Sequence, residues 1–184
     1  MSLRRTPSQT VGPFFAVGLP WADGPFVVPE GTQSAVWIRG QVFDGDRNPV
    51  PDSMIETWQA DPDGRFDHPD DERGAVAGFR GFGRSCTDAD GAFEILTLKP
   101  GPVPGPDGAP QAPHIDISVF ARGLLKRAVT RLYFPDEVEA NSADTTLASL
   151  SPEALSTVMA ERADDGYRFD IQLQGERETA FFDV

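Results

Sequence analysis

The chain has 184 residues, which predicts one domain able to bury roughly two-thirds of its unfolded surface. Its hydrophobic content of 39% favours a globular fold over disorder, and its net charge of −13 argues against nucleic acid as a partner. A single cysteine excludes an internal disulfide, and no apolar run approaches the ~20 residues of a membrane helix. Because the N-terminus also lacks an apolar run of signal-peptide length, we expect a cytoplasmic protein with no membrane contact.

Short runs with a period of two, separated by Asp-Gly and proline turns, indicate β-structure along most of the chain. Their regular spacing predicts an all-β fold, an antiparallel β-sandwich with one or two short helices and long loops. Strands are predicted, in chain order, at residues 36–43, 54–59, 92–98, 114–120, 129–134 and 167–173, with a last edge strand at 179–183.

One helix is predicted late in the chain. Ser151 suits the N-cap, Pro152 suits the first helical position, and Leu155, Val158 and Met159 form an apolar stripe at helical spacing. Three segments lack such periodicity: residues 1–34, 99–113 and 135–149. We therefore expect a single domain over residues 1–184, with an irregular N-terminal segment at 1–34 and a sandwich core at 35–184.

Metal-ligating side chains are few. His68, His114 and Asp116 could form a 2-His-1-carboxylate site, and His114 and Asp116, two apart on one strand, share a face. A hydrogen-bonded structural pair is the more common outcome for such residues. The acidic stretch at residues 88–91 lacks the spacing of a calcium loop and is interpreted as a turn, and Cys86 as an inert buried thiol.

Arg131 interrupts an otherwise apolar predicted strand. An unpaired buried charge is costly, so the guanidinium either pairs with an acidic residue or points into a cleft. The first alternative is structural, and the second would bind an anionic ligand.

Six segments together resemble the intradiol ring-cleaving dioxygenases. The combination is specific and covers nearly the whole chain in order. The segments are TPSQTVGPFF (6–15), GQVFDGDRNPVPDSMIETWQADPDGRF (40–66), TDADGAFEILTLKPG (87–101), APHIDISVFARG (112–123), TRLYF (130–134) and YRFDIQLQGERETAFFD (167–183).

This resemblance implies a β-sandwich and a non-haem ferric iron, which two tyrosines and two histidines bind in the catalytic chains. The tyrosine positions fall on Phe66 and Val103, and the histidine pair falls on His114 and Asp116. An arginine of the catalytic chains falls on Gln111. Three of the four ligands are therefore replaced, so we expect no metal in this chain and regard the four positions as vestigial.

The departures are typical of the family's non-catalytic α chains. The resemblance then implies that Fe(III) is bound by a catalytic β subunit in a large oligomer of α/β heterodimers, and that this chain lines the partner's pocket for a small aromatic substrate. Residues 1–34 would be the arm that contacts the partner. An autonomous homodimeric dioxygenase and a non-enzymatic binding module are the alternatives. The pocket residues carried over are Thr10, Gly12, Pro13, Phe14 (where the family often has tyrosine) and Arg131.

Overall fold

The computed structural model describes residues 7, 9–12, 14–105 and 108–183. Pro13 lies outside the described residues. Among the described residues, no helix is long and apolar enough to cross a lipid bilayer. The strands are β1 (Ala35–Phe43), β2 (Met54–Trp58), β3 (Phe82–Cys86), β4 (Ala92–Leu98), β5 (Val103–Pro104), β6 (Pro110–Gln111), β7 (His114–Phe120), β8 (Ala128–Tyr133), β9 (Glu161–Ala163), β10 (Gly166–Arg168) and β11 (Ile171–Gln172).

The first sheet is built around β1. Strand β4 pairs with it in antiparallel register along its length, whereas β10 and then β11 pair with its other edge in parallel. Strand β9 completes this sheet as the hairpin partner of β10. The predicted strand 167–173 is thus divided into two short strands. Between them β1 passes so close that a Cβ at Gly40 would lie 1.8 Å from the carbonyl oxygen of Phe169.

The second sheet has the order β3-β2-β7-β8 and is antiparallel throughout. Strands β5 and β6 form a small separate hairpin within the proline-rich segment 99–113. The inner faces of the two sheets meet in one apolar core, as expected for a sandwich. Fully buried members of that core include Ile38 and Ile95 from the first sheet and Ile55, Ile117 and Leu132 from the second.

The helical segments are all short: α1 (Phe15–Gly18), α2 (Val138–Ala143), α3 (Thr145–Ala148) and α4 (Pro152–Val158). The predicted helix is confirmed as α4, since the Ser151 side chain accepts a hydrogen bond from Ala154 N and Pro152 begins the helix. The segment 135–149, interpreted as irregular, contains α2 and α3. These two were not predicted because their sequences lack a clear apolar stripe.

The predicted edge strand at 179–183 is wrong, since these residues belong to no strand. Thr179 N donates to Gln172 O of the first sheet, and Phe182 N donates to Val129 O of the second. The segment therefore passes from one sheet to the other. It makes backbone hydrogen bonds to both sheets but forms no continuous ladder with either.

Part of the segment 1–34 belongs to the sandwich. Val27 and Val28 are buried in the main core, and Phe26 bridges to Leu96 of β4. The exposed part of this segment therefore lies mainly before Val27. Large exposed apolar side chains are concentrated in that stretch: Val11, Phe14, Val17, Leu19 and Trp21.

Candidate functional site

A polar cluster forms where β7 and β8 pair. Asp116 lies directly opposite Arg131, and His114 lies directly opposite Tyr133. Because alternate residues of a strand share a face, all four side chains project from the same face of the second sheet. The predicted common face of His114 and Asp116 is thus confirmed, and the cluster sits on rigid strands rather than on loops.

The Arg131 guanidinium is held from two sides. Its Nε donates to Asp116 Oδ1 at 2.9 Å, and its Nη1 donates to Gln111 Oε1 at 3.1 Å and to Tyr133 Oη at 3.4 Å. Burial alone would lower the pKa of Arg131, but the hydrogen bond to Tyr133 and the charge of Asp116 outweigh it and raise that pKa. The ring of Phe182 lies 6.0 Å from the guanidinium carbon. Of the two alternatives left open for Arg131, pairing with an acidic residue is therefore found within the chain, and binding of an anionic ligand stays a prediction.

His114 is neutral at physiological pH. Its pKa is lowered first by burial and then by the charge of Arg131. Because Nδ1 lies 2.7 Å from the carbonyl oxygen of Ala112, that nitrogen carries the proton and donates it, which leaves a lone pair on Nε2. Nε2 is 3.9 Å from Asp116 Oδ1, so with a neutral ring the two groups do not form an ion pair.

The loop that carries Gln111 is anchored by a buried carboxylate. Asp144 is fully buried, and its two oxygens accept from Leu147 N at 2.9 Å and from Ala112 N at 2.8 Å. The first bond caps α3 and the second fixes the residue next to Gln111. Neither Asp144 nor Tyr133 was identified from the sequence. Tyr133 could have been found as the residue two after Arg131 on the same strand face.

An aromatic depression lies beside the cluster, since Trp58 of β2 is paired in register with Asp116. The Trp58 and Phe66 rings are stacked at 6.0 Å, and His68 meets the Trp58 ring edge-on at 6.3 Å. The depression has a volume of about 750 Å³ and is lined mainly by Trp58, Phe66, His68, Asp71, Arg73 and Pro104.

The vestigial positions do not supply a ligand set for ferric iron. Phe66 and Val103 carry no donor atom, whereas an iron site of this class needs hard oxygen ligands beside its histidines. His114 and Asp116 offer two side chains only. Among the described residues, no group of three or more His, Cys, Asp or Glu side chains is arranged to hold a metal ion, and this includes the triad of His68, His114 and Asp116.

The N-terminal candidates lie apart from this cluster within the chain. Thr10 Oγ1 accepts from Gly123 N at 3.0 Å, beyond the far end of β7. Gly12 adopts a φ of +70°, which favours glycine, and Phe14 is 80% exposed. No hydrogen bond or ring contact between described residues joins Thr10 or Phe14 to Arg131. Pro13 lies outside the described residues.

The sandwich has relatives in one protein family. The chain belongs to the dioxygenase family, whose model (Dioxygenase_C) matches residues 10–175. It is 44% identical over 200 aligned positions to the protocatechuate 3,4-dioxygenase alpha chain of Burkholderia cepacia, an alignment covering 100% of this chain and 99% of that one. The predicted resemblance is thereby confirmed, down to the type of chain.

Two further likenesses extend the comparison. The protocatechuate 3,4-dioxygenase beta chain of Burkholderia cepacia is 34% identical over 155 residues, or 77% of this chain and 65% of that one. The solved dioxygenase domain of a dioxygenase carbohydrate-binding protein fusion from Streptomyces sp. SirexAA-E superposes with a TM-score of 0.59 at 28% identity, covering 94% of this chain and 99% of that one. The sandwich class predicted from strand spacing is confirmed by this fold.

Proposed function

We propose that the chain is the iron-free α subunit of a heteromeric protocatechuate 3,4-dioxygenase. The assembled enzyme cleaves 3,4-dihydroxybenzoate between its two hydroxyl-bearing carbons, inserts both atoms of O2 and yields 3-carboxy-cis,cis-muconate, a step of aromatic catabolism. Fe(III) is held by the catalytic β subunit. This chain supplies a wall of the β subunit's pocket and a large part of the interface between the two chains.

The observation that carries the proposal is the loss of iron ligands from an otherwise intact family fold. Full-length similarity to an alpha chain is combined with side chains at Phe66 and Val103 that cannot bind iron. The absence of donor atoms at Phe66 and Val103 also argues against an autonomous homodimer, because such an enzyme would need its own iron site. Family membership argues against an unrelated binding module.

The exposed N-terminal residues support an interface with another chain. Contiguous exposed apolar surface on a soluble protein is typical of a partner contact. Phe14 and Val17 are each 80% exposed, and Val11, Leu19 and Trp21 lie in the same stretch. We assign this stretch to the contact with the β subunit, where Thr10, Gly12, Pro13 and Phe14 line the substrate pocket.

Arg131 faces the same pocket in this proposal. Its Nη2 has no hydrogen-bond partner among the described residues, while Nε and Nη1 are both occupied. A guanidinium nitrogen with free N–H groups suits the carboxylate of protocatechuate, since charge-assisted hydrogen bonds to carboxylates are short and strong. The role of Arg131 is recognition of the substrate carboxylate and not ring chemistry.

Substitution of Arg131 by methionine in the assembled α/β complex tests this role. Methionine keeps much of the length and removes the charge. A charge-assisted hydrogen bond contributes ~1.5–3 kcal/mol, so kcat/KM for protocatechuate should fall roughly 10- to 150-fold. Catechol, which lacks the carboxylate, should lose much less. Steady-state kinetics with both substrates provide the measurement.

The matched control is Arg39→Met, because Arg39 is also a strand arginine that pairs across its sheet, through Nε to Glu94 at 3.1 Å. This control should leave the ratio of the two kcat/KM values unchanged. Iron content and assembly are checked in both variants. Equal losses for protocatechuate and catechol in Arg131→Met, with iron and assembly intact, would mean that Arg131 is only a structural ion-pair residue.

A further inference from the structure

The contacts around Arg131 leave one defined part of its guanidinium for a ligand. Asp116 occupies Nε, while Gln111 and Tyr133 occupy Nη1. Nη2 is the remaining nitrogen, without a hydrogen-bond partner among the described residues. The Arg131 side chain is 22% exposed, so the guanidinium is mostly enclosed by these contacts but still reaches the surface.

Asp116 is well placed to orient this group. It lies opposite Arg131 in the β7–β8 register, and its own backbone is paired on the other side with Trp58 of β2. The carboxylate therefore projects from the interior of a four-stranded sheet and not from a loop. An arginine side chain has several rotatable bonds, and fixing it before the ligand arrives reduces the ordering cost of binding.

We propose that Asp116 is a positioning residue for carboxylate recognition. By binding Nε it turns the guanidinium so that Nη2 faces the substrate carboxylate, which makes the enzyme selective for carboxylated over plain catechols. The inference rests on the proposed function, since it takes Arg131 to be the residue that contacts the carboxylate.

A positioning role and a pure charge effect predict opposite changes in protocatechuate binding when Asp116 is replaced. As a negative charge alone, Asp116 would oppose an anionic substrate, and its removal would improve binding whatever replaced it. As a positioning residue it acts through the acceptor oxygen on Nε. Asparagine keeps such an oxygen, whereas alanine and leucine do not, and leucine also preserves the side-chain shape.

The experiment compares Asp116→Asn, Asp116→Ala and Asp116→Leu in the α/β complex, with protocatechuate and catechol as substrates. The alanine and leucine variants should raise KM for protocatechuate about five- to tenfold, the size of one lost ordering hydrogen bond, with a smaller change in kcat. The asparagine variant should stay within about twofold of the parent because it retains the acceptor. Leucine serves as the second test if alanine impairs assembly.

The matched control is Glu94→Ala, which removes the corresponding partner of Arg39 on the other sheet, where Arg39 and Glu94 are also directly opposite. It should leave the protocatechuate-to-catechol ratio unchanged. In an Arg131→Met background, Asp116→Ala should cause no further loss of that ratio, because the group it positions is gone.

Three results would overturn the inference. Equal behaviour of the asparagine, alanine and leucine variants would mean that the acceptor oxygen plays no part, and improved protocatechuate binding in all three would mean that Asp116 acts by its charge. The alanine and leucine variants could keep the parent's selectivity while Arg131→Met loses activity mainly on protocatechuate. That result would remove the positioning role of Asp116 and leave the proposed function intact. An Arg131→Met complex that loses no selectivity for protocatechuate would remove both the positioning role of Asp116 and the recognition role of Arg131.

Discussion

At the scale of single residues, the polar cluster combines a neutral histidine with a paired arginine. The burial of His114 and the neighbouring charge of Arg131 both disfavour the imidazolium, and the pKa of His114 is accordingly lowered. In the unfolded chain the same histidine titrates near its usual value of about 6.5. As pH falls through that value, the unfolded state takes up a proton that the folded state does not, and stability is lost.

This linkage gives a prediction for His114. Between about pH 7 and pH 5 the free energy of unfolding should decrease with falling pH, by at most ~1.4 kcal/mol per pH unit from this residue. His114→Gln should remove that component. Urea unfolding at low protein concentration, followed at several pH values, provides the measurement. His68→Gln is the substitution control, because it makes the same change at a half-exposed histidine.

If His114→Gln retained the full pH dependence of the parent chain, the dependence would have to come from carboxylates, and the assignment of a neutral buried imidazole would be wrong.

The sequence could predict part of this cluster. The common face of His114 and Asp116 follows from their spacing, and the choice for Arg131 between an acidic partner and a cleft follows from its apolar strand. Which acid it meets depends on the register between β7 and β8. A period of two is unchanged by a two-residue slip, so periodicity alone does not identify Asp116 as the partner.

At the scale of elements, Asp144 links a helix to the loop that carries Gln111. It caps α3 through Leu147 N and also accepts from Ala112 N, and it is fully buried. Alanine at this position would leave two backbone N–H groups without their acceptor. The residues before β7 would then lose the contact that fixes them beside Arg131.

We expect Asp144→Ala to lower the free energy of unfolding by about 2–4 kcal/mol, the sum of a lost cap and a second unsatisfied donor. The matched control is Ser151→Ala, which removes one exposed cap bond on α4 and should cost about 0.5–1 kcal/mol. Urea unfolding gives both values. Equal small costs would mean that water or a shifted side chain replaces the Asp144 bonds.

Strands with clean alternation were predictable, and elements that depend on tertiary pairing were not. Strand β3, with the sequence FGRSC, lacks an alternating apolar pattern and exists because it pairs along β2. The predicted strand 167–173 is divided where it runs closest to β1, beside Gly40. The short helices α2 and α3 pack against the loops around β6 and are stabilised by buried groups such as Asp144, which no local pattern reveals.

At the scale of the whole molecule, the acidic sandwich has one region that differs from the rest of its described surface. The net charge is −13, yet five of the eight exposed large apolar side chains among the described residues lie between residues 11 and 21 of the sequence. Of the positions that the resemblance aligns with iron ligands, His114 and Asp116 lie on the second sheet, Val103 on the β5–β6 hairpin and Phe66 in a loop. This combination is what the proposed function requires of a subunit that completes a partner's site.

The most direct test compares the chain alone with the chain co-expressed with a catalytic β chain, such as that of Burkholderia cepacia. Iron content, the visible tyrosinate absorption and protocatechuate cleavage are measured on both preparations. The account predicts that the isolated chain carries neither iron nor activity, and that the co-purified complex carries both, because the ligands belong to the β chain. Stoichiometric iron with a tyrosinate band in the isolated chain would contradict it.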